Sequence, residues 1–166
     1  MYEIRTTQEF DDWLDNLRNR TAVLRIAARI DRLEQGNFGD TKSITNEISE
    51  LRLFFGSGYR IYYSPIFLEK IMKTSTKKFD VSKYLDSPEA IKEYLEIMLD
   101  ENGIEGFQRA LGHVAKAHGM TEIAKKANVG RESLYKSLSE TGKPRLDTIY
   151  NVLQALGLQL SIKVPC

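Results

Sequence analysis

The stretch TEIAKKANVGRESLYKSLSETGKP, residues Thr121 to Pro144, contains two short amphipathic segments separated by a break and followed by a basic turn. Asn128 tolerates the left-handed backbone conformation that ends a helix. Val129 is expected to plug the turn into the core, and Gly130 to begin the next helix. A break at this point turns the second helix outward, so that its first turn is presented to a partner. The apolar residues of both segments recur at helical spacing and are predicted to face a core: Ile123, Ala124, Ala127, Leu134 and Leu138.

Two short helices joined by a turn of three or four residues form the helix-turn-helix, whose second helix enters the DNA major groove. Thr121 is expected to cap the first helix. Arg131 can fork onto guanine O6 and N7, and Ser133 can bond a base or a phosphate. The alternative is a helical packing domain whose charged face is merely solvated. We predict contact with double-stranded DNA from eight residues of this stretch: Thr121, Lys125, Arg131, Glu132, Ser133, Tyr135, Lys136 and Lys143.

The charged residues are unevenly distributed, although the net charge of the chain is only +1. Asp80 to Glu105 contains eight acids and two lysines, whereas Gly106 to Leu146 contains eight basic residues and three acids. A basic block beside an acidic one indicates an anionic partner for the basic block. The acidic helix expected from Pro88 to Asp100 either packs on the helix-turn-helix core, which we favour, or lies against arginines of the front half.

Composition argues against several classes of protein. The single Cys166 cannot form a disulfide within the chain, and two histidines without clustered ligands argue against a metal site. No apolar run approaches the roughly 18 residues that a membrane span needs, and the N-terminus does not have the pattern of a signal peptide. We expect a cytoplasmic protein with no membrane contact, no metal and no cofactor.

The first part of the chain predicts a strand, two helices and a small sheet. YEIRT is expected as the strand, Thr6 with Glu9 as a capping box for the first helix, and Gly36 as the stop of the second helix. ISELRLFF and YRIYYS, joined by GSG, predict a hairpin. We place a domain boundary between residues 71 and 72, which divides the chain into a front domain, 1–71, and a rear domain, 72–166.

The rear part is predicted to be helical and to end in a strand, so the fold class is α+β. Ser87, Pro88 and Glu89 form a helix start, with a hydroxyl cap, a proline in the first turn and an acid at the positive dipole end. Gly103 and Gly119 are expected to end successive helices. The segment LQLSIKV alternates apolar and polar residues, which predicts a strand from Leu158 to Val164.

From MKTSTKKFDVSKYLDSPEAIKEYLE through ALGHVAKAHGMTEIAKKANVGRESLYKSLSETGKPRLDTIYNVLQALGLQL, roughly 90 residues, the sequence resembles the HigA-type antitoxins. The resemblance implies a helix-turn-helix protein that represses its own operon as a dimer. Leu158–Val164 is a strand available for pairing across a two-fold axis, which makes a homodimer the expected assembly. A palindromic operator follows if two recognition helices lie one DNA turn apart.

The front half resembles the phage-derived HigB branch of the RelE superfamily, from Met1 to about Ser64 and particularly in GNFGD and ELRLFFGSGYRIYY. These toxins are small ribonucleases that cut messenger RNA, in many cases at the ribosome. The resemblance implies attack by a ribose 2′-hydroxyl, which needs cations to stabilise charge and a group to shuttle a proton. Arg60 matches the active-site arginine of this family.

The front half also departs from that family. The lysines that the family carries on the preceding strand fall opposite Leu51 and Leu53, and Arg52 is one residue out of step, which turns a side chain to the other sheet face. The Lys/Arg-containing tail of the family is absent. We therefore expect an inactive, shortened RelE-like domain in which Arg52 and Arg60 are surface cations paired with Glu47 or Glu50.

The sequence as a whole predicts a DNA-binding autorepressor of a toxin–antitoxin operon that carries a fused toxin domain. The alternative is a ribosome-dependent mRNA endonuclease, with Arg60 and Arg52 as catalytic residues, that is neutralised by its own fused antitoxin. A third possibility is a dimeric scaffold with neither activity.

Overall fold

The structure is a computed structural model that describes residues 2–65, 75–139 and 142–162. Helices and small antiparallel sheets occur together, which confirms the predicted α+β class. The chain forms two compact units, a front unit Met1–Asp80 and a rear unit Val81–Cys166. The boundary expected between residues 71 and 72 lies outside the described residues.

The front unit contains two helices and five strands among its described residues. Its helices are α1 (Gln8–Asp15) and α2 (Arg20–Glu34), and its strands are β1 (Arg5–Thr7), β2 (Thr41–Ser43), β3 (Ser49–Leu53), β4 (Tyr59–Tyr63) and β5 (Thr76–Lys78). Strands β2, β3 and β4 form an antiparallel sheet in that order, and β5 pairs antiparallel with β1. The predicted hairpin is confirmed as β3 and β4, whereas the sequence analysis did not predict β2 or β5.

The cap of α1 differs from the prediction. Thr7, and not Thr6, occupies the N-cap position, where its hydroxyl oxygen accepts a hydrogen bond from the Phe10 backbone N–H at 3.3 Å. Thr6 lies within β1, and its buried hydroxyl donates to the Lys77 carbonyl at 3.4 Å. Because β1 pairs with a strand that is distant in sequence, Thr6 is kept in the ladder and the helix begins one residue later.

Helix α2 supplies much of the front core. Its residues Leu24, Ile26 and Ala28 are fully buried, as is Leu51 of β3. The helix is capped by Asn19, whose side-chain oxygen accepts from the Ala22 N–H at 3.1 Å. The predicted stop is confirmed, since Gly36 has φ +80° and donates its N–H to the Leu33 carbonyl at 2.9 Å.

The rear unit begins with a short 3-10 turn, Val81–Tyr84, and continues with four helices: α3 (Pro88–Ala117), α4 (Met120–Lys126), α5 (Arg131–Ser137) and α6 (Leu146–Ala155). The predicted start of α3 is confirmed, because the Ser87 hydroxyl accepts from the Ala90 N–H at 3.2 Å. Gly103 has φ 67° and ψ −164°, so α3 consists of two helical segments that meet at a kink. A residue with a side chain rarely adopts this conformation.

Two histidine contacts stabilise the arrangement around α3. The Tyr94 hydroxyl and His113 Nδ1 are 3.0 Å apart, which joins the two segments across the kink, and Tyr94 is fully buried. His118 Nε2 lies 3.1 Å from the Leu85 carbonyl oxygen, at the end of the turn that precedes the helix. Both histidines therefore have structural hydrogen-bond partners.

The end of the chain carries no strand ladder within the chain over residues 158–162. Residues 163 and 164, the rest of the predicted strand, lie outside the described residues. A strand that pairs only with a second copy has no partner in a single chain, so the predicted pairing stays a prediction. No helix in the described part of the chain is long and apolar enough to cross a membrane.

Candidate nucleic-acid interface

The break between α4 and α5 is a tight turn. Asn128 has φ +55°, and in the described ranges no other residue apart from glycine has a positive φ. The turn is fixed by backbone hydrogen bonds from Ala127 N–H to the Ile123 carbonyl at 2.8 Å and from Val129 N–H to the Ala124 carbonyl at 3.0 Å. The sequence-based placement of the left-handed residue at Asn128 is confirmed.

The inner faces of α4 and α5 pack into the rear core. Ile123 and Ala124 are 3% exposed, and Leu134 is fully buried. Gly130 begins α5 as its N-cap residue, with an extended backbone conformation. The five helix positions predicted to face inward are buried, which confirms the amphipathic pattern: Ile123, Ala124, Ala127, Leu134 and Leu138. Val129, which is expected to plug the turn into the core, is only half-buried.

The outer face of α5 is exposed to solvent. Tyr135 has 68% of its surface exposed, a large fraction for an aromatic residue in a helix. The other outward residues of α5 are also exposed: Arg131, Glu132, Ser133 and Lys136. The residues predicted to contact DNA are all exposed: Thr121, Lys125, Arg131, Glu132, Ser133, Tyr135, Lys136 and Lys143. Five of these residues belong to α5, between Arg131 and Lys136, and all five are open to solvent.

One of the eight residues has a different local role from that predicted. Helix α4 begins at Met120, with Gly119 as its N-cap and no capping side chain. Thr121 consequently lies inside the first turn of α4. The glycine takes the cap position because the chain leaves α3 with φ +88° at Gly119, a conformation that threonine adopts poorly.

The cations of this surface have no ion-pair partner in the described part of the chain. In the described residues, none of Lys125, Arg131, Lys136 and Lys143 forms an ion pair, whereas Arg145 contacts Asp147 at 3.5 Å. Exposed, uncompensated cations attract phosphate groups over distances of about 10 Å at ordinary salt. The surface is therefore suited to an anionic partner.

Gln108 fixes the end of α5, and the sequence analysis did not identify it. Its side-chain nitrogen Nε2 lies 2.8 Å from the Gly142 carbonyl oxygen, 2.9 Å from that of Ser139 and 3.3 Å from that of Ser137. These contacts join the second segment of α3 to the last turn of α5 and to the loop beyond it. A Gln in the middle of an amphipathic helix carries no local signal of such a role, because its partners lie about thirty residues away in sequence.

The same region requires a glycine. A Cβ atom at Gly142 would lie 2.2 Å from the Ser137 carbonyl oxygen and 2.5 Å from that of Lys136. The loop after α5 therefore folds back onto the helix end at a distance that only glycine permits. Together with Gln108, this contact fixes the orientation of α5.

A second polar surface lies on the sheet of the front unit. Arg52 of β3 and Arg60 of β4 are directly opposite each other in the antiparallel register, as are Glu50 and Tyr62. All four residues lie at alternate positions and thus share one face, while Leu51 and Leu53 are buried on the other. Because successive residues of a strand face opposite sides, Arg52 points away from the face of Leu51 and Leu53. It therefore lies on the same face as Arg60, directly opposite it.

Glu50 is the partner of Arg52 on this face. Its carboxylate accepts from Arg52 Nε at 2.9 Å and from the Tyr62 hydroxyl at 3.2 Å. The hydrogen bond from Arg52 holds the pKa of Glu50 below its ordinary value; burial opposes this effect, and the Tyr62 bond and the charge of Arg60 support it. The same contact raises the pKa of Arg52. The expected pairing of Arg52 with Glu50 is thus present, whereas in the ranges that the structure describes Arg60 forms no ion pair with Glu47 or Glu50.

The chain has relatives among known proteins. The family model described as "Probable addiction module antidote protein" matches residues 75–164. An uncharacterized protein of Haemophilus influenzae is 44% identical over 92 residues, which cover 55% of this chain and 95% of that protein. Another uncharacterized protein of the same organism is 53% identical over 60 residues, which cover 36% of this chain and 61% of that protein.

No solved structure matches the chain significantly. The family match extends over more than half of the chain and includes the helices α3 to α6, with the turn between α4 and α5 and the exposed face of α5. The chain therefore belongs to the family of probable addiction module antidote proteins.

Proposed function

We propose that this protein is the antitoxin of a toxin–antitoxin operon and represses that operon by binding its operator through α4 and α5. Membership of the antidote family supports the antitoxin role. The observation that carries the DNA-binding part is the turn at Asn128, which buries one face of α5 and leaves the opposite face of its first turn in solvent. Such a helix is able to enter a major groove of about 12 Å width.

The exposed face of α5 carries some groups suited to base edges and others suited to the phosphate backbone. Arg131, in the first turn, has the fork geometry that matches guanine O6 and N7, and Ser133 bonds either a base or a phosphate. Tyr135 offers an aromatic face to a thymine methyl or a sugar. Lys136, together with Lys125 of α4, suits phosphate oxygens, which hold register without reading sequence.

Two further residues extend this contact beyond α5. Thr121, in the first turn of α4, and Lys143, in the loop after α5, are both exposed. Their hydroxyl and ammonium groups fit the sugar–phosphate backbone on either side of the groove. Glu132 is an acceptor for cytosine N4 and, where no cytosine is present, repels the backbone, so it contributes to specificity.

A homodimer accounts for the exposed apolar residues near the end of the chain. Leu160 has 51% of its surface exposed and Ile162 has 98%. In the proposed assembly, residues Leu158–Val164 of two copies pair as strands across a two-fold axis and cover these side chains. A palindromic operator with half-sites about 34–36 Å apart would present one major groove to each copy of α5.

A mobility-shift assay with the DNA upstream of the gene tests this function. The wild-type protein is expected to bind that DNA in preference to a scrambled duplex, with an affinity that falls steeply as salt rises. Arg131→Ala should lower affinity by about 1–3 kcal/mol, which is about 5- to 150-fold, and relax the preference at one base position.

Lys92→Ala is the matched control for Arg131→Ala. Lys92 is an exposed cation of the same unit and forms its ion pair with Glu96 at 3.4 Å on the first segment of α3. Its replacement removes the same charge and should leave affinity nearly unchanged. Equal losses in the two variants would show that only the total charge matters, and equal binding to both duplexes would refute sequence-specific recognition.

A second candidate function is messenger RNA cleavage by the front unit. The observation that favours it is the juxtaposition of Arg52 and Arg60, which places two guanidinium groups on one sheet face where they can bind a phosphate. An arginine stays protonated and does not shuttle protons, and the lowered pKa of Glu50 makes it a weak base. We therefore favour the repressor and retain the ribonuclease as the alternative.

Expression of residues 1–71 alone separates the two candidates. A ribonuclease would arrest growth and cleave ribosome-bound messenger RNA, and Arg60→Ala would relieve both effects. Growth and transcript ends that are identical for the wild-type segment and its Arg60→Ala variant would exclude the activity, provided that circular dichroism shows both segments to be folded.

A further inference from the structure

The antidote family and the front unit overlap at one strand. The family match begins at residue 75, whereas the front unit extends to Asp80. The overlap contains β5, Thr76–Lys78, which pairs with β1 in the register Arg5 to Lys78, Thr6 to Lys77 and Thr7 to Thr76. The first strand of the antidote region is therefore part of the front unit.

The front unit contacts both the backbone and the side chains of this strand. Arg5 Nη2 donates to the Thr76 carbonyl at 2.8 Å, and Arg5 Nε donates to the Thr76 hydroxyl at 3.0 Å. The Phe79 N–H donates to the Ile4 carbonyl at 3.1 Å, which continues the pairing beyond the strand. A single arginine thus recognises a threonine by two of its groups.

The residue after that threonine, Lys77, forms an ion pair with the front unit. Lys77 Nζ lies 3.3 Å from Asp11 Oδ2. Asp11 is in the first turn of α1 and is only 4% exposed, while the lysine reaches it from the surface. A nearly buried carboxylate costs free energy unless a cation or hydrogen bonds compensate it. The front unit is therefore better suited to a strand with lysine at this position than to one with an apolar residue.

One relative is too short to contain both the front unit and the antidote region. The 92 matched residues are 95% of this Haemophilus influenzae protein, so it is about 97 residues long. The 80 residues of the front unit and the 90 residues of the family match do not fit together in such a chain. Strand β1, the partner of β5, lies outside the family match, and the β1–β5 pair therefore joins two separable pieces.

We propose that Thr76–Lys78 is a docking strand, by which an antidote region binds a protein of the front-unit type by adding a strand to the edge of β1. The partner that this edge accepts is an extended peptide with a hydroxyl residue followed by lysine. Addition of a strand to an exposed edge is a general mode of peptide recognition, in which backbone bonds supply affinity and side chains supply specificity. The covalent connection between the pieces raises their effective concentration but is not what binds them.

The alternation of an antiparallel ladder provides a matched pair of variants. Because Phe79 donates to Ile4, the residue two positions before it, Lys77, also directs its N–H toward β1, whereas the N–H of Lys78 points away. Lys77→Pro removes a donor from the ladder. Lys78→Pro changes the same residue type at the next position and leaves the ladder intact, since proline is tolerated where the N–H faces solvent.

The experiment uses the full chain with a site-specific protease sequence inserted between residues 70 and 71. After cleavage, the two pieces are examined by size-exclusion chromatography with light scattering and by hydrogen exchange at the Lys77 amide. The cleaved wild-type protein and the Lys78→Pro variant are expected to stay associated. Lys77→Pro should raise the dissociation constant by about tenfold or more, because it removes one ladder hydrogen bond, leaves a carbonyl unsatisfied and also removes the ion pair with Asp11. Lys77→Ala removes the ion pair alone, so the difference between Lys77→Pro and Lys77→Ala measures the ladder bond.

Three outcomes would overturn the proposal. The first is that the cleaved wild-type pieces separate and the Lys77 amide is unprotected. The second is that the two proline variants dissociate equally. The third is that the Lys77→Pro pieces remain bound as tightly as the wild-type pieces. Asp11→Asn provides an independent check, because it should weaken association at low salt and less at high salt. None of these readouts involves DNA, so the docking strand and the repressor function can fail separately.

Discussion

Replacement of Gln108 is the most direct test of how the orientation of α5 is fixed. The side-chain nitrogen of this residue lies within 2.8–3.3 Å of three carbonyl oxygens, those of Ser137, Ser139 and Gly142. An amide group has two N–H bonds, so two of these contacts are full hydrogen bonds and the third is shared. Gln108→Ala removes both donors and leaves the carbonyl groups at the end of α5 without this partner.

The expected loss follows from the number of bonds. A neutral hydrogen bond contributes about 0.5–1.5 kcal/mol net, so two of them give about 1–3 kcal/mol. In a chain of this size, 1 kcal/mol lowers the melting temperature by about 2–4 °C, and Gln108→Ala should therefore melt about 2–12 °C lower. Gln108→Glu should lose more at pH 7, because a carboxylate would face the same carbonyl oxygens without a proton to donate.

The assay is thermal and urea unfolding of the rear unit within the full chain, followed by circular dichroism. Gln154→Ala is the control, since Gln154 has the same side chain on the exposed face of α6 and should change stability by less than about 0.5 kcal/mol. The loss in Gln108→Glu should shrink as pH falls toward the Glu pKa, because the protonated carboxyl recovers a donor. Equal stability of Gln108→Ala and Gln154→Ala would refute the role of this side chain.

Three further predictions concern the core, the turn and the front sheet. Leu134→Ala, at a fully buried position, should lower the free energy of unfolding by about 2–5 kcal/mol in urea titrations; a loss below 1 kcal/mol would contradict the packing of α5. Asn128→Val should cost about 1–2 kcal/mol because of its φ of +55°, whereas Asn128→Gly should keep the melting temperature near that of the wild type. Because Arg52 lowers the pKa of Glu50 in the folded state, this pair stabilises the fold above the ordinary Glu pKa of about 4.3, and the contribution is lost as pH falls through the lower folded value. Thermal unfolding between pH 3 and 6 should show this acid-induced loss in the wild type and a smaller one in Glu50→Gln; identical pH profiles would contradict the ion pair.

Local sequence signals predicted the hairpin and several helix ends correctly, whereas the caps expected at Thr6 and Thr121 were wrong. Ser87 and Pro88 marked the start of α3, Gly36 marked the end of α2, and Asn128 marked the turn before α5, since each reflects a conformational preference of the residue itself. Seven of the eight predicted DNA-contact residues lie on α4 and α5, where helical spacing separates the outer from the inner face; the eighth, Lys143, is exposed in the loop after α5.

Contacts between distant residues were not predictable in this way. The cap at Thr7 instead of Thr6 depends on the pairing of β1 with β5, and neither strand carries a strong alternating pattern. Gln108 resembles any polar residue of an amphipathic helix until its three carbonyl partners are known. The neighbouring positions of Arg52 and Arg60 follow from the hairpin register, which the sequence analysis did not use to compare their faces.

The sequence by itself determined the α+β class, the two helices around the turn at Asn128 and the polar character of the exposed face of α5, because each depends on residues within a few positions of one another. Only the tertiary structure decided that the strand Thr76–Lys78 belongs to the front unit and that Gln108 supports the end of α5. The physical reason is that hydrogen bonds and ion pairs between distant segments depend on how the chain closes its loops, and a linear pattern with a period of two or four residues does not contain that information.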